Sequence, residues 1–86
     1  MSTAEIDWRG DERDLDQALD EFLEYWSEQN IVIDEVEPNG DGTFWITVSS
    51  DNVEKQHAAL IEGTNNAEGL IDFLDDWGQV NNWVYV

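Results

Sequence analysis

Hydrophobic residues between positions 11 and 29 recur with the three- and four-residue spacing of an amphipathic helix. Asp11 is a suitable N-cap, because its carboxylate can accept hydrogen bonds from the free N–H groups of a first turn. Asn30 is a suitable end for the helix. The pattern therefore predicts one long helix with a single buried stripe, which consists of Leu15, Ala18, Leu19, Phe22, Leu23 and Trp26.

Residues 31–37 and 43–49 have the composition and alternation of two β-strands. In the second segment, Phe44 lies on one face and Trp45 on the other. The intervening PNGDG, residues 38–42, combines a proline with two glycines that tolerate positive φ. These features predict a β-hairpin, in which Trp45 is either covered by the N-terminal residues or exposed.

The rest of the chain predicts a second helix and further strands. Residues 50–63 are ambiguous: a turn followed by a strand is favoured by the polar SSDN, while a short helix capped by Asp51 is the alternative. Residues 65–78 repeat the helical spacing and stop at Gly78, and the final residues, 81–86, alternate as a strand.

These elements predict an α+β domain with the order α-β-β-β-α-β. Short connections favour an antiparallel sheet with both helices packed on one face. Residues 1–10 are expected to form an N-terminal arm with Trp8 as its hydrophobic anchor, and residues 11–86 a single acidic domain. A chain of 86 residues allows one modest core, and its hydrophobic content of 41% is too high for a disordered acidic tail.

Composition excludes several classes of protein. The absence of cysteine rules out a disulfide framework and a thiolate zinc site. The first residues lack the basic and apolar regions of a signal peptide, and no apolar run could span a bilayer. We therefore expect a cytoplasmic protein.

Charge is the outstanding feature, with 21 acidic residues against 3 basic ones and a net charge of −18. Such a charge repels nucleic acids and anionic membranes, so the expected partners are basic protein surfaces. On the first predicted helix, carboxylates recur every fourth residue opposite the hydrophobic stripe, which places neighbours about 5–6 Å apart. The predicted partner-binding residues are Asp16, Asp20, Glu21, Glu24 and Glu28 on this helix, Glu68, Asp72, Asp75 and Asp76 on the last helix, and the aromatic residues Tyr25 and Trp45.

The segments DLDQALDEFLEYWSEQ and EGLIDFLDDW, together with the small size, resemble the acidic DNA-mimic proteins of phages. The resemblance is to a class, the anti-CRISPR and anti-restriction inhibitors, and rests on composition and carboxylate ridges. It implies a non-enzymatic inhibitor that blocks the basic groove of a CRISPR effector, restriction enzyme or nuclease. We also expect a monomer or weak dimer that acts in the host cytoplasm, and its charge predicts that it binds no nucleic acid itself.

Two alternatives stay open. An immunity protein for a cationic nuclease toxin would need the same surface. A domain adapted to molar salt would also be acidic, because at about 1 M salt charge repulsion is screened within about 3 Å. The 5 tryptophans and the many asparagines are not needed for salt adaptation, which favours the inhibitor.

Candidate catalytic and metal-binding groups are few. The PNGDG turn contains residues of a calcium loop, but Val48 occupies the position of the bidentate glutamate. His57 is the single histidine, and we expect it at the surface or a sheet edge. Without a cysteine or a serine at a strained turn, no nucleophilic triad is evident. We therefore expect no enzymatic activity, no metal site and no cofactor.

Overall fold

The computed structural model describes residues 2–27 and 31–86, which form an α+β domain. Along the chain, the elements are β1 (Ser2–Arg9), α1 (Glu12–Tyr25), β2 (Ile31–Pro38), β3 (Thr43–Ser50), α2 (Glu54–Glu62), α3 (Leu70–Trp77) and β4 (Gln79–Tyr85). The strands pair in the spatial order β2-β3-β1-β4, and every neighbouring pair is antiparallel. The predicted fold class is therefore confirmed.

The expected N-terminal arm is instead β1, a central strand of the sheet, so that prediction is wrong. Ala4, Ile6 and Trp8 alternate along it and are fully buried on the helix-covered face. Glu5 and Asp7 point to the opposite face. Both acids disfavour strands in general, which hides the alternation in the sequence. Pairing with β3 on one side and β4 on the other stabilises the strand.

Residues 54–62 form helix α2, so the strand favoured for this segment is wrong and the alternative, a short helix, is right. The cap predicted for that helix is wrong, because Val53 and not Asp51 occupies the N-cap position. His57, Leu60 and Ile61 follow the three- and four-residue spacing of a helical face, and all are buried. The helix ends at Gly63, whose φ of 87° lies in the left-handed region that favours glycine. The sheet takes β1 as its fourth strand.

Helix α1 is confirmed, and Asp11 caps it by accepting a hydrogen bond from the Arg13 N–H at 2.9 Å. The helix ends at Tyr25. The predicted end at Asn30 lies outside the described residues. Within the predicted stripe, Leu23 is exposed and Trp26 is half-buried, while the other residues are buried.

Trp8 joins the sheet to the helices at the centre of the core. Its indole N–H donates a hydrogen bond of 2.6 Å to the carbonyl oxygen of Leu74 in α3, and its ring lies 5.9 Å from that of Phe44. Gly10 and Gly78 pack so closely on the ring that a Cβ would clash with it. All three helices contribute to this one core, so the predicted packing of helices on one sheet face is confirmed.

The opposite sheet face remains uncovered by these helices.

The longest of the helices, α1, spans 14 residues. Within the described ranges, none has the length and apolar character that crossing a bilayer requires.

Candidate protein-binding surfaces

The carboxylates in the described ranges all lie at the surface, and none of them is buried. They are concentrated on α1, on α3 and on the uncovered face of the sheet. The separation of these three surfaces determines which of them can contact one partner together.

The first surface is the α1 ridge, which we define as Asp16, Asp20 and Glu24. All three side chains are exposed on the side of α1 that faces away from the core. Glu24 lies in the last turn, where the helix dipole is negative and no basic residue compensates it. Glu28, predicted to extend this row, lies outside the described residues. The ridge therefore concentrates charge at some cost to helix stability.

The second surface is the α3 cluster, which we define as Asp72 and Asp76 of α3 together with Glu68. The prediction that Glu68 lies on this helix is wrong, because α3 begins at Leu70. A hydrogen bond with Asp76 raises the pKa of the Glu68 carboxyl, as do partial burial and the negative charges of Asp76 and Asp72. Asp75, predicted to belong to the same surface, instead accepts a hydrogen bond of 3.1 Å from the Val80 N–H and links α3 to β4.

The α1 ridge and the α3 cluster do not form one continuous row. Tyr25 contacts Phe73 at a ring separation of 5.4 Å, so its side of α1 faces α3. Asp16 lies nine positions before Tyr25, about two and a half helical turns, and therefore points to the opposite side. Glu21, one turn before Tyr25, is exposed on the α3 side. Tyr25 itself is 53% exposed and lies beside α3.

The third surface surrounds Trp45 on the uncovered sheet face. Trp8 lies on the other face and cannot cover it, which leaves Trp45 39% exposed. In the strand register, Asp7 of β1 is its neighbour on one side and Glu37 of β2 on the other. We define the acidic sheet face as Trp45 with its in-register neighbours Asp7 and Glu37 and the next row of acids, Glu5 and Glu35.

The β1 half of this face was not predicted from the sequence. The signal was present, because Glu5 and Asp7 alternate with the buried Ala4, Ile6 and Trp8. Alternation alone, however, does not indicate which strands flank β1 or that Trp45 lies beside it.

His57 is buried with 1% of its surface exposed, so the prediction of a surface or edge position is wrong. Its Nδ1 lies 2.8 Å from the hydroxyl oxygen of Ser50. A serine beside a histidine occurs in nucleophilic catalysis, but Ser50 is itself only 2% exposed. A substrate could not reach that hydroxyl, and the pair is best explained as a polar contact between β3 and α2. His57 also lines a cavity of about 350 Å³ with Ser2, Thr3, Glu54, Ala58, Tyr85 and Val86.

Burial lowers the pKa of His57, and as the single histidine it gives a direct test of this contact. We expect its NMR titration to have a midpoint below the ordinary value of about 6.5. Below pH 6.5 the unfolded chain takes up the proton first, so His57 reduces stability as pH falls through that window. A midpoint at or above the value measured for the urea-unfolded chain would contradict the buried position.

The raised pKa of Glu68 predicts the effect of removing its charge. The hydrogen bond with Asp76, partial burial and the charges of Asp76 and Asp72 disfavour the ionised form of Glu68 in the folded chain, whereas below its ordinary pKa the carboxyl is protonated in both folded and unfolded chains. Glu68→Gln should therefore raise the free energy of unfolding at pH 7 by about 0.5 kcal/mol. The gain should vanish near pH 4. Urea unfolding at both pH values measures it, and a destabilised variant at pH 7 would contradict the repulsion.

In the described ranges, no group of three or more His, Asp or Glu side chains is arranged to hold a metal ion. The chemistry that these surfaces offer is negative charge with exposed aromatic rings. They define a class of protein by fold and surface: a small acidic α+β domain.

Known proteins provide no match from which a function could be inferred. No protein-family model matches the chain, and no curated protein or solved structure matches it significantly.

Proposed function

We propose that this protein is a non-enzymatic inhibitor that imitates the charge of a nucleic acid. It would occupy the basic DNA- or RNA-binding groove of a bacterial defence complex, such as a CRISPR effector or a restriction enzyme. Its site of action would be the cytoplasm, where such complexes meet their targets.

The observation that carries the proposal is the match between charge and length. The fold measures 34 × 24 × 18 Å along its principal axes, and the chain carries a net charge of −18. Duplex DNA has one charge per roughly 1.7 Å of axis, so a segment of the same length carries about 20 charges. A groove that binds duplex DNA would therefore meet a comparable total charge over a comparable distance.

The proposed mechanism has a long-range and a short-range part. The net charge attracts a basic groove and speeds encounter, as expected for strongly charged partners. In contact, the carboxylates of the α1 ridge pair with lysine and arginine side chains that otherwise bind phosphates. Exposed aromatic residues then fix the orientation, as buried anchors do in many interfaces. No phosphodiester is present to cut, so the groove stays blocked.

Competition with DNA tests this proposal. The immobilised protein is incubated with bacterial lysate at low ionic strength, and bound proteins are eluted with a short DNA duplex. A cationic DNA-binding protein should elute. With that protein purified, increasing inhibitor should raise the apparent Kd for labelled duplex without changing the saturated signal. If no partner is displaced by duplex, or if the partner binds DNA and this protein together, the proposal fails.

Adaptation to high salt is the second candidate, and the spread of carboxylates over helices and sheet face favours it. Thermal unfolding at increasing KCl concentration separates the two functions. An inhibitor that works in ordinary cytoplasm should be folded at physiological salt and gain only modest stability in molar KCl. A chain that folds only in molar KCl would support salt adaptation instead.

A further inference from the structure

The centre of the acidic sheet face combines an exposed aromatic ring with a carboxylate on each neighbouring strand. Glu37, Trp45 and Asp7 form one cross-strand row, read from β2 through β3 to β1. Side chains directly opposite each other in such a row have Cβ atoms about 4.5–5.5 Å apart. The indole therefore lies between two carboxylates, and none of the three helices in the described part of the chain covers it.

We propose that Trp45, Asp7 and Glu37 form a binding site for an arginine side chain of the partner. This inference rests on the proposed function and adds a contact on the sheet face, away from the helices. A guanidinium is planar and stacks on an indole face. Its N–H groups lie in the guanidinium plane, parallel to the indole, and can donate hydrogen bonds to a carboxylate on each side. A lysine ammonium cannot make both contacts with the same geometry.

The negative charge of the acidic sheet face favours a basic protein as the partner that binds there. The next row of the same face adds Glu5 and Glu35, which are both in register with Thr47. Arg9, the cation on this face, is in register with Thr43 at the end of the sheet. A second copy of the chain would bring the same net charge of −18, and nucleic acids and anionic membranes are repelled in the same way. The exposed indole makes this surface more than a group of acids, because it supplies a stacking platform.

An NMR titration with octa-arginine, compared with octa-lysine, tests the site in the intact protein. The readout is the indole N–H resonance of Trp45, which is assigned by its loss in Trp45→Phe. We expect octa-arginine to shift this resonance in a saturable manner at physiological salt. Its affinity at Trp45 should exceed that of octa-lysine by about fivefold, because only the guanidinium stacks and pairs together.

Matched double variants show which carboxylates contribute to octa-arginine binding at Trp45. Asp7→Asn with Glu37→Gln should weaken octa-arginine binding at Trp45 by about tenfold, as expected when two charge-assisted contacts are lost. Asp51→Asn with Glu12→Gln removes the same types of charge from exposed positions outside the acidic sheet face and the α1 ridge. It should change the affinity for octa-arginine at Trp45 by less than about twofold. Thermal unfolding of each variant confirms that it is folded before the affinities are compared.

Three outcomes would overturn the inference: an unmoved Trp45 resonance, equal affinity for the two peptides, or equal losses in the two double variants. Because the titration uses only peptides, its failure would leave a DNA-displaced partner unaffected. Conversely, a specific arginine site without any DNA-displaced partner would remove the proposed function and keep the site.

Discussion

Replacing Trp8 with alanine should lower the free energy of unfolding by about 3–5 kcal/mol, as large-to-small changes in cores do. Trp8 is fully buried, and its ring fills the space between β1 and α3. Its truncation also leaves the carbonyl of Leu74 without the indole donor. Because native domains are stable by only about 5–15 kcal/mol, the variant should lose a large fraction of its stability.

Urea unfolding followed by far-ultraviolet circular dichroism measures this loss without relying on tryptophan fluorescence. Trp45→Ala is the matched control, because it makes the same change on the uncovered sheet face, where the side chain is 39% exposed. We expect it to cost less than about 1 kcal/mol, in the range of surface substitutions. Equal losses in the two variants would contradict the central position of Trp8.

The elements that local pattern determines could be predicted from the sequence. Helix α1 follows from a hydrophobic stripe and an N-cap, both of which lie within one short segment. The β2–β3 hairpin follows from a turn whose glycines, Gly40 and Gly42, have φ values of 86° and 88°. In these places the residues that decide the structure are neighbours in sequence.

Elements that depend on distant partners were predicted poorly. Strand β1 is in the sheet because Ile6 pairs with Ile46 on one side and with Trp83 on the other. No local pattern contains that information. Helix α2 was ambiguous for a similar reason: His57 reads as a polar position, but it is buried by a contact with Ser50 in another element.

The same distinction applies to the candidate surfaces. A helical wheel is enough to predict that Asp16, Asp20 and Glu24 are exposed. Whether they join the carboxylates of α3 depends on the Tyr25–Phe73 contact, which puts α3 on the other side of α1. The acidic sheet face requires the strand order, since Asp7 and Trp45 are far apart in sequence.

Neutralising the α1 ridge should separate binding from folding. The triple variant Asp16→Asn, Asp20→Asn and Glu24→Gln removes three carboxylates that repel each other, so its free energy of unfolding should rise by a few tenths of a kcal/mol. Each carboxylate would lose a pairing of about 1 kcal/mol with the basic groove. The Kd for the DNA-displaced partner should then increase by roughly a hundredfold, which competition with labelled duplex measures.

A charge-matched variant of the α3 cluster shows whether position or total charge decides the binding. Glu68→Gln with Asp72→Asn and Asp76→Asn also replaces one glutamate and two aspartates. Its carboxylates are crowded together instead of forming a row, and Glu68 is the residue whose pKa the neighbouring acids raise. We expect a loss of affinity of less than about tenfold, which reflects weaker long-range attraction. If both triple variants lost the same affinity, binding would follow net charge, and the α1 ridge would not be the contact surface.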